Sequence, residues 1–63
     1  MTNFSIESIS LDIIQELNDN QAANLEYSDS INGYYDISFS MNREDGIRIL
    51  EESGYQYAED YII

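Results

Sequence analysis

The apolar residues of this 63-residue chain change their spacing several times, and each change marks a boundary between strand and helix. Phe4 and Ile6, with Ser8 on the same side, alternate against Asn3, Ser5 and Glu7, which predicts a short strand over residues 2–8. The period then lengthens. Ile13, Ile14 and Leu17 fall on one helical face, Asp12, Glu16 and Asp19 on the opposite one, and Ser10 stands ahead of them as an N-cap, so an amphipathic helix is expected to about Gln21. From Leu25 the period returns to two. Leu25 and Tyr27 alternate against Glu26 and Ser28, and beyond Asn32-Gly33 the alternation resumes through Tyr35, Ile37, Phe39 and Met41, the signature of a hairpin.

Paired residues of an antiparallel ladder share a face, so parity fixes the hairpin register. A two-residue Asn32-Gly33 loop sets Ile37 opposite Ser28 and Phe39 opposite Glu26, mixing core with solvent. A three-residue loop, Ile31-Asn32-Gly33, with a left-handed Gly33 and a bulge, pairs Leu25 with Phe39 and Tyr27 with Ile37, and is the register expected. Asn42 then caps a second helix, with Asp45 at the capping-box position, Ile47, Ile49 and Leu50 as its apolar side and Gly54 as its stop. Gly46 interrupts that helix at a cost of ~1 kcal/mol relative to alanine. Arg48 has Glu44 and Glu52 four residues away and Asp45 and Glu51 three away, the pattern of a solvated helix ion-pair cluster. The tail from Tyr55 to Ile63 is rich in strand formers and reads as a last strand, with a short helix as the alternative. The resulting order, βαββαβ, predicts an α+β ferredoxin-like domain over residues 1–63, an antiparallel sheet with two helices on one face and the other face open.

A chain of this length buries only ~60% of its unfolded surface, so it benefits from a disulfide, a metal, a second copy or a partner. It has no cysteine, no histidine and no lysine. Thiol and imidazole catalysis, cysteine zinc sites, Schiff bases and a Walker phosphate clamp are therefore beyond its chemistry, and a non-enzymatic protein without cofactor or metal is expected. No acidic spacing ahead of Gly33 or Gly46 fits a calcium loop. No apolar run approaches a membrane span, and the N-terminus lacks a signal peptide's basic flank, so the expected location is the cytoplasm.

Thirteen carboxylates face two arginines, a net charge of −11 that repels nucleic acid and anionic membrane alike. Asp12, Glu16 and Asp19 form one helical stripe, and Glu44, Asp45, Glu51 and Glu52 form another, with neighbours ~5–6 Å apart. That spacing is comparable with that of successive phosphates, so the stripes can stand in for phosphate in the basic groove of a protein that handles nucleic acid. Solubility alone normally intersperses both signs of charge. Six tyrosines add a second signal. Tyr27 and Tyr35 share the hairpin face with Ile37 and Phe39 and are expected in the core. Tyr34, Tyr55 and Tyr57, beside Glu26, Asp36 and Glu59 on the open sheet face, would make an aromatic patch ringed by acid, suited to a protein partner or to a homodimer.

From Leu17 onward, Leu17-Asn18-Asp19-Asn20, Asn24-Leu25-Glu26-Tyr27, Tyr35-Asp36-Ile37-Ser38-Phe39 and Ile47-Arg48-Ile49-Leu50-Glu51-Glu52-Ser53-Gly54-Tyr55 resemble the ACT domain, a ferredoxin-like module. The resemblance implies a regulatory module that binds an amino acid at a homodimer interface, often through a glycine-containing loop after the first strand. That loop reads Ser8-Ile9-Ser10-Leu11-Asp12 here, without glycine or proline. In size and composition the chain also resembles the small acidic inhibitors that phages and mobile elements direct against nucleases, including anti-restriction and anti-CRISPR proteins and DNA mimics. That second resemblance implies a basic nuclease or CRISPR effector as partner, with the two stripes, Glu26, Asp36 and the tyrosines as its contact residues.

Overall fold

The computed structural model describes all residues, Met1–Ile63. The chain forms β1 (Thr2–Ser10), α1 (Leu11–Asp19), β2 (Ala23–Tyr27), β3 (Tyr34–Met41), α2 (Arg43–Glu52) and a 3₁₀ turn at Ala58–Tyr61. The three strands make one antiparallel sheet in the order β1-β3-β2, so β1 and β2 run parallel to each other with β3 between them. Phe4 and Ile6 of β1 and Ile37, Phe39 and Met41 of β3 point to one face, where Ile14 and Leu17 of α1 and Ile49 and Leu50 of α2 close over them in a single core. Phe4 and Phe39 are cross-strand partners, and their rings stack at 5.0 Å. No helix is long and apolar enough to cross a membrane.

β1 is longer than its alternation implies, because a bulge lies in its second half. The register shifts between Ile6 opposite Ile37 and Ile9 opposite Tyr35, with Ser8 at φ 60°. One extra residue reverses parity, so Ile9 is fully buried where simple alternation would place Ser8. The Asp36 carboxylate accepts the Ser8 N–H at 3.1 Å and supplies the bulge with the partner it loses from the ladder. β1 then passes into α1 with no loop at all: Ser10 is still opposite Tyr34, and Leu11 is already helical. α1 ends at Asp19, two residues before the expected Gln21, which has a left-handed φ of 67°.

The hairpin register holds with Tyr27 opposite Ile37, but its turn differs from the expected one. Ile31 and Tyr34 exchange both backbone hydrogen bonds around Asn32 (φ 55°) and Gly33 (φ 83°), a two-residue type I′ turn. The extra residue lies between Tyr27 and Ile31 on the β2 side, not at Gly33. The primed turn matches strand twist, and the slip moves to the polar Ser28-Asp29-Ser30 segment, where no apolar side chain is displaced. A further shift between Ala23 and Glu26, with Asn24 at φ 54°, replaces the expected continuous pairing of Leu25 with Phe39.

The expected fourth strand is not formed. Tyr57 adopts a left-handed conformation (φ 57°) and starts the 3₁₀ turn, which buries Ala58 completely. Only Ile62 then reaches β1, through a single bridge to Phe4, with the Ile63 N–H donating to the Asn3 carbonyl. Burying Ala58 against the core turns the chain away from the β1 edge too early for a ladder. The architecture is thus α+β, three antiparallel strands and two helices.

Candidate protein-binding surface

All thirteen carboxylates are exposed, and no polar or charged side chain is buried. Their surroundings differ by half. Residues 43–63 hold six carboxylates and both arginines, whereas residues 1–42 hold seven carboxylates and no basic side chain. Arg48 lies 3.7 Å from Asp45 and 3.8 Å from Glu52, as the helical spacing implied, and Arg43 reaches across to Glu59 at 3.1 Å. These pairs are more than half exposed and contribute little to stability, though they offset much of the α2 stripe. Glu44 and Glu51 remain outside them. Asp12, Glu16 and Asp19 on α1 face solvent with no arginine on their helix.

The open face of the sheet is polar except at its hairpin end, where Tyr34 and Ile31 lie beside Asp36. Ser5 and Glu7 of β1, Glu26 at β2, Ser28 just after it, and Asp36 and Ser38 of β3 line a shallow depression of 440 Å³. Asp36 is engaged there, accepting from Ser8, while its own N–H donates to the Ser28 hydroxyl at 3.2 Å. Of the aromatic patch expected on this face only Tyr34 is present, beside Asp36, and the tail tyrosines lie elsewhere. Tyr34 lies at the very start of β3 and is exposed. Tyr55 is half-buried beside the β1 bulge, its hydroxyl donating to the Ser8 carbonyl at 3.3 Å and its ring edge-to-face with Tyr61. Burial, reinforced by the neighbouring Tyr61 and Tyr34, pushes the Tyr55 phenol above its ordinary value. Tyr57 projects from the 3₁₀ turn and is 73% exposed. For Tyr55 and Tyr57 the missing fourth strand is the physical reason, since no ladder sets alternate residues of the tail onto a sheet face.

Tyr27 also departs from expectation. It is 56% exposed, edge-to-face on the half-buried Tyr35, because β2 is an edge strand whose outer flank nothing covers. Beside it runs a groove of 380 Å³ between α1 and β2, lined by Leu11, Ile14, Gln15, Asn18, Leu25 and Tyr27. Leu11 is 42% exposed there. The sequence expectations do not include this groove, although Leu11, Ile14, Gln15 and Asn18 carry the i, i+3, i+4, i+7 spacing of one helical stripe. Attention to the buried Ile14 and Leu17 hides a second stripe that meets β2.

Nowhere do three acidic side chains converge closely enough to hold a metal ion. The surface offers charge, hydroxyls and one apolar groove. No family model, curated protein or solved structure matches the chain.

Proposed function

We propose that this protein is a non-enzymatic acidic inhibitor that binds a basic nucleic-acid-handling protein by mimicking the charge of DNA, in the manner of phage anti-restriction and anti-CRISPR proteins. The observation that carries this reading is the segregation of charge: Asp12, Glu16 and Asp19 form an exposed stripe with no cation on their helix, while both arginines are committed to α2. A basic groove that receives phosphates meets carboxylates at comparable separation along α1, and counterion release then favours the complex at low salt. Glu26 and Asp36 extend the same negative field past the β2 edge. The α2 stripe, Glu44, Asp45, Glu51 and Glu52, is the weaker contributor because Arg48 partly neutralises it.

The scaffold is ferredoxin-like with its fourth strand cut to the Phe4–Ile62 bridge, a reading supported by the β1-β3-β2 order. The place of action is the host cytoplasm. The ACT-like alternative loses its customary ligand loop, since β1 enters α1 without one.

The test is capture of the host partner on immobilised protein at low salt, followed by release with salt and with added duplex DNA. Joint Asp12→Lys, Glu16→Lys and Asp19→Lys is expected to weaken capture about tenfold or more, because three favourable pairs become repulsive. Joint Glu44→Lys and Glu51→Lys should cost less. Capture that is unchanged by the α1 reversal and by salt would sink the mimicry.

A further inference from the structure

The outer edge of β2 is the one place where exposed backbone, exposed apolar side chains and uncompensated charge meet. Ser28 N–H bonds the Asp36 carbonyl at 3.0 Å, and Glu26 sits opposite Ser38 two residues earlier, so these residues turn their backbone groups toward β3. By the alternation of an antiparallel ladder, Tyr27, between them, turns N–H and C=O away from the sheet, and the Leu25 side chain lies beside its own. Their side chains meanwhile lean over the groove floored by Leu11 and Ile14 of α1. Edge strands are commonly blunted by lysine or proline, and β2 has neither. The register shift that spans Asn24 and Leu25 limits the usable edge to the residues around Tyr27.

We propose that this edge accepts an extended, basic segment of the partner as an added strand, with apolar side chains seated in the Leu11–Ile14–Leu25–Tyr27 groove and alternate Lys or Arg side chains turned toward Glu26. The proposal rests on the acidic-inhibitor reading above and specifies how the partner is held. Charge selects the occupant. Asp12, Glu16 and Asp19 lie on the helix that forms one wall of the groove, Glu26 projects to the open face, Asp29 follows β2, and no basic residue lies on α1, β2 or the hairpin turn. A second copy would bring two such edges together, Glu26 among them, in a molecule already at −11. A basic strand meets the same carboxylates favourably. Main-chain bonds supply affinity and the groove reads alternate side chains, the division of labour in strand addition.

The probe is a capped synthetic heptapeptide of alternating lysine and valine, titrated into the ¹⁵N-labelled full chain by NMR. A second heptapeptide of identical composition, with its lysines in one block, serves as control. The alternating peptide is expected to slow exchange of the Tyr27 amide, to shift Leu11, Gln15 and Asn18, and to bind about tenfold tighter than the block peptide. Tyr27→Pro removes an outward N–H and leaves the Ser28–Asp36 bond intact, so it should weaken binding by about tenfold. Leu11→Gln, at an exposed helical position, tests the groove without touching the ladder and should also weaken it.

Equal binding of both peptides without amide protection would overturn the edge proposal, leaving charge attraction alone. The mimicry reading would then still stand if reversal of the α1 stripe weakened capture of the host protein. Conversely, edge docking of the peptide combined with capture indifferent to that reversal would remove the mimicry and keep the edge. Sedimentation of the free protein as a dimer that Tyr27→Pro dissociates would assign the edge to a second copy and end the proposal.

Discussion

The ring of Phe4 occupies the space that a side chain at position 46 would need. A Cβ built on Gly46 falls 2.5 Å from Cζ and 2.7 Å from Cε1 of that ring, with Met41 Cγ at 3.2 Å. Phe4 is fully buried and stacked on Phe39, so it has nowhere to retreat. Helix propensity alone ranks alanine ~1 kcal/mol better than glycine at such a site. Overpacking a closed core costs about 1–3 kcal/mol and is expected to win. Gly46→Ala should therefore lower the free energy of unfolding by that amount, read as a lower urea midpoint with unchanged slope, whereas in a Phe4→Leu background the same change should be neutral or stabilising. A stabilised single variant would show that the ring yields easily. The composition of the helix reveals a glycine with a cost, and only the packing of α2 on β1 reveals what the glycine permits.

At the scale of the element, the two helix starts look alike in sequence and work differently. Asn42 Oδ1 accepts the N–H groups of Glu44 at 3.0 Å and Asp45 at 3.2 Å, so α2 begins with a true side-chain cap. Ser10 occupies the corresponding place before α1 and makes no such bond, because it is still held in the ladder opposite Tyr34. Asn42→Ala is thus expected to cost ~1 kcal/mol, and Ser10→Ala within about 0.5 kcal/mol, both measured as shifts in chemical denaturation. A large loss at Ser10 would mean that its hydroxyl caps α1 in solution. The hairpin teaches a related lesson. Asn32-Gly33 correctly marks a reversal, and parity correctly pairs Tyr27 with Ile37, yet the compensating residue sits in Ser28-Asp29-Ser30. Local turn chemistry and register are both readable, while the position of the slip depends on which polar residues can leave the ladder without disturbing the core.

For the whole molecule, like charges confined to a small surface set the electrostatics. Thirteen exposed carboxylates are offset by only two arginines, so the folded state works against its own repulsion. Raising ionic strength from about 10 mM to about 150 mM shortens the screening length from about 30 Å to about 8 Å. The thermal midpoint should rise across that range, since the three exposed ion pairs that salt weakens are worth less than the repulsion it screens. A midpoint that falls would mean that those pairs outweigh the net charge. The same asymmetry makes α1 and the β2 edge, rather than α2, the side whose negative charge is not offset by arginine.

The amino-acid sequence by itself determined the two amphipathic helices, the hairpin, most of the residues that fill the core and the acidic character of the surface, because period and charge are properties of neighbours along the chain. Tertiary structure decided between a strand and a short helix for Tyr55–Ile63, giving a 3₁₀ helix and one bridge, since a strand exists only if an edge is free at the right register and Ala58 is instead buried in the core. It also decided that Ser8 bulges so that Ile9 is buried, that Arg43 reaches Glu59, and that Leu11 meets Leu25 and Tyr27 across a groove. Each of these joins residues far apart in sequence, and their proximity is settled by how helices and sheet share a small core.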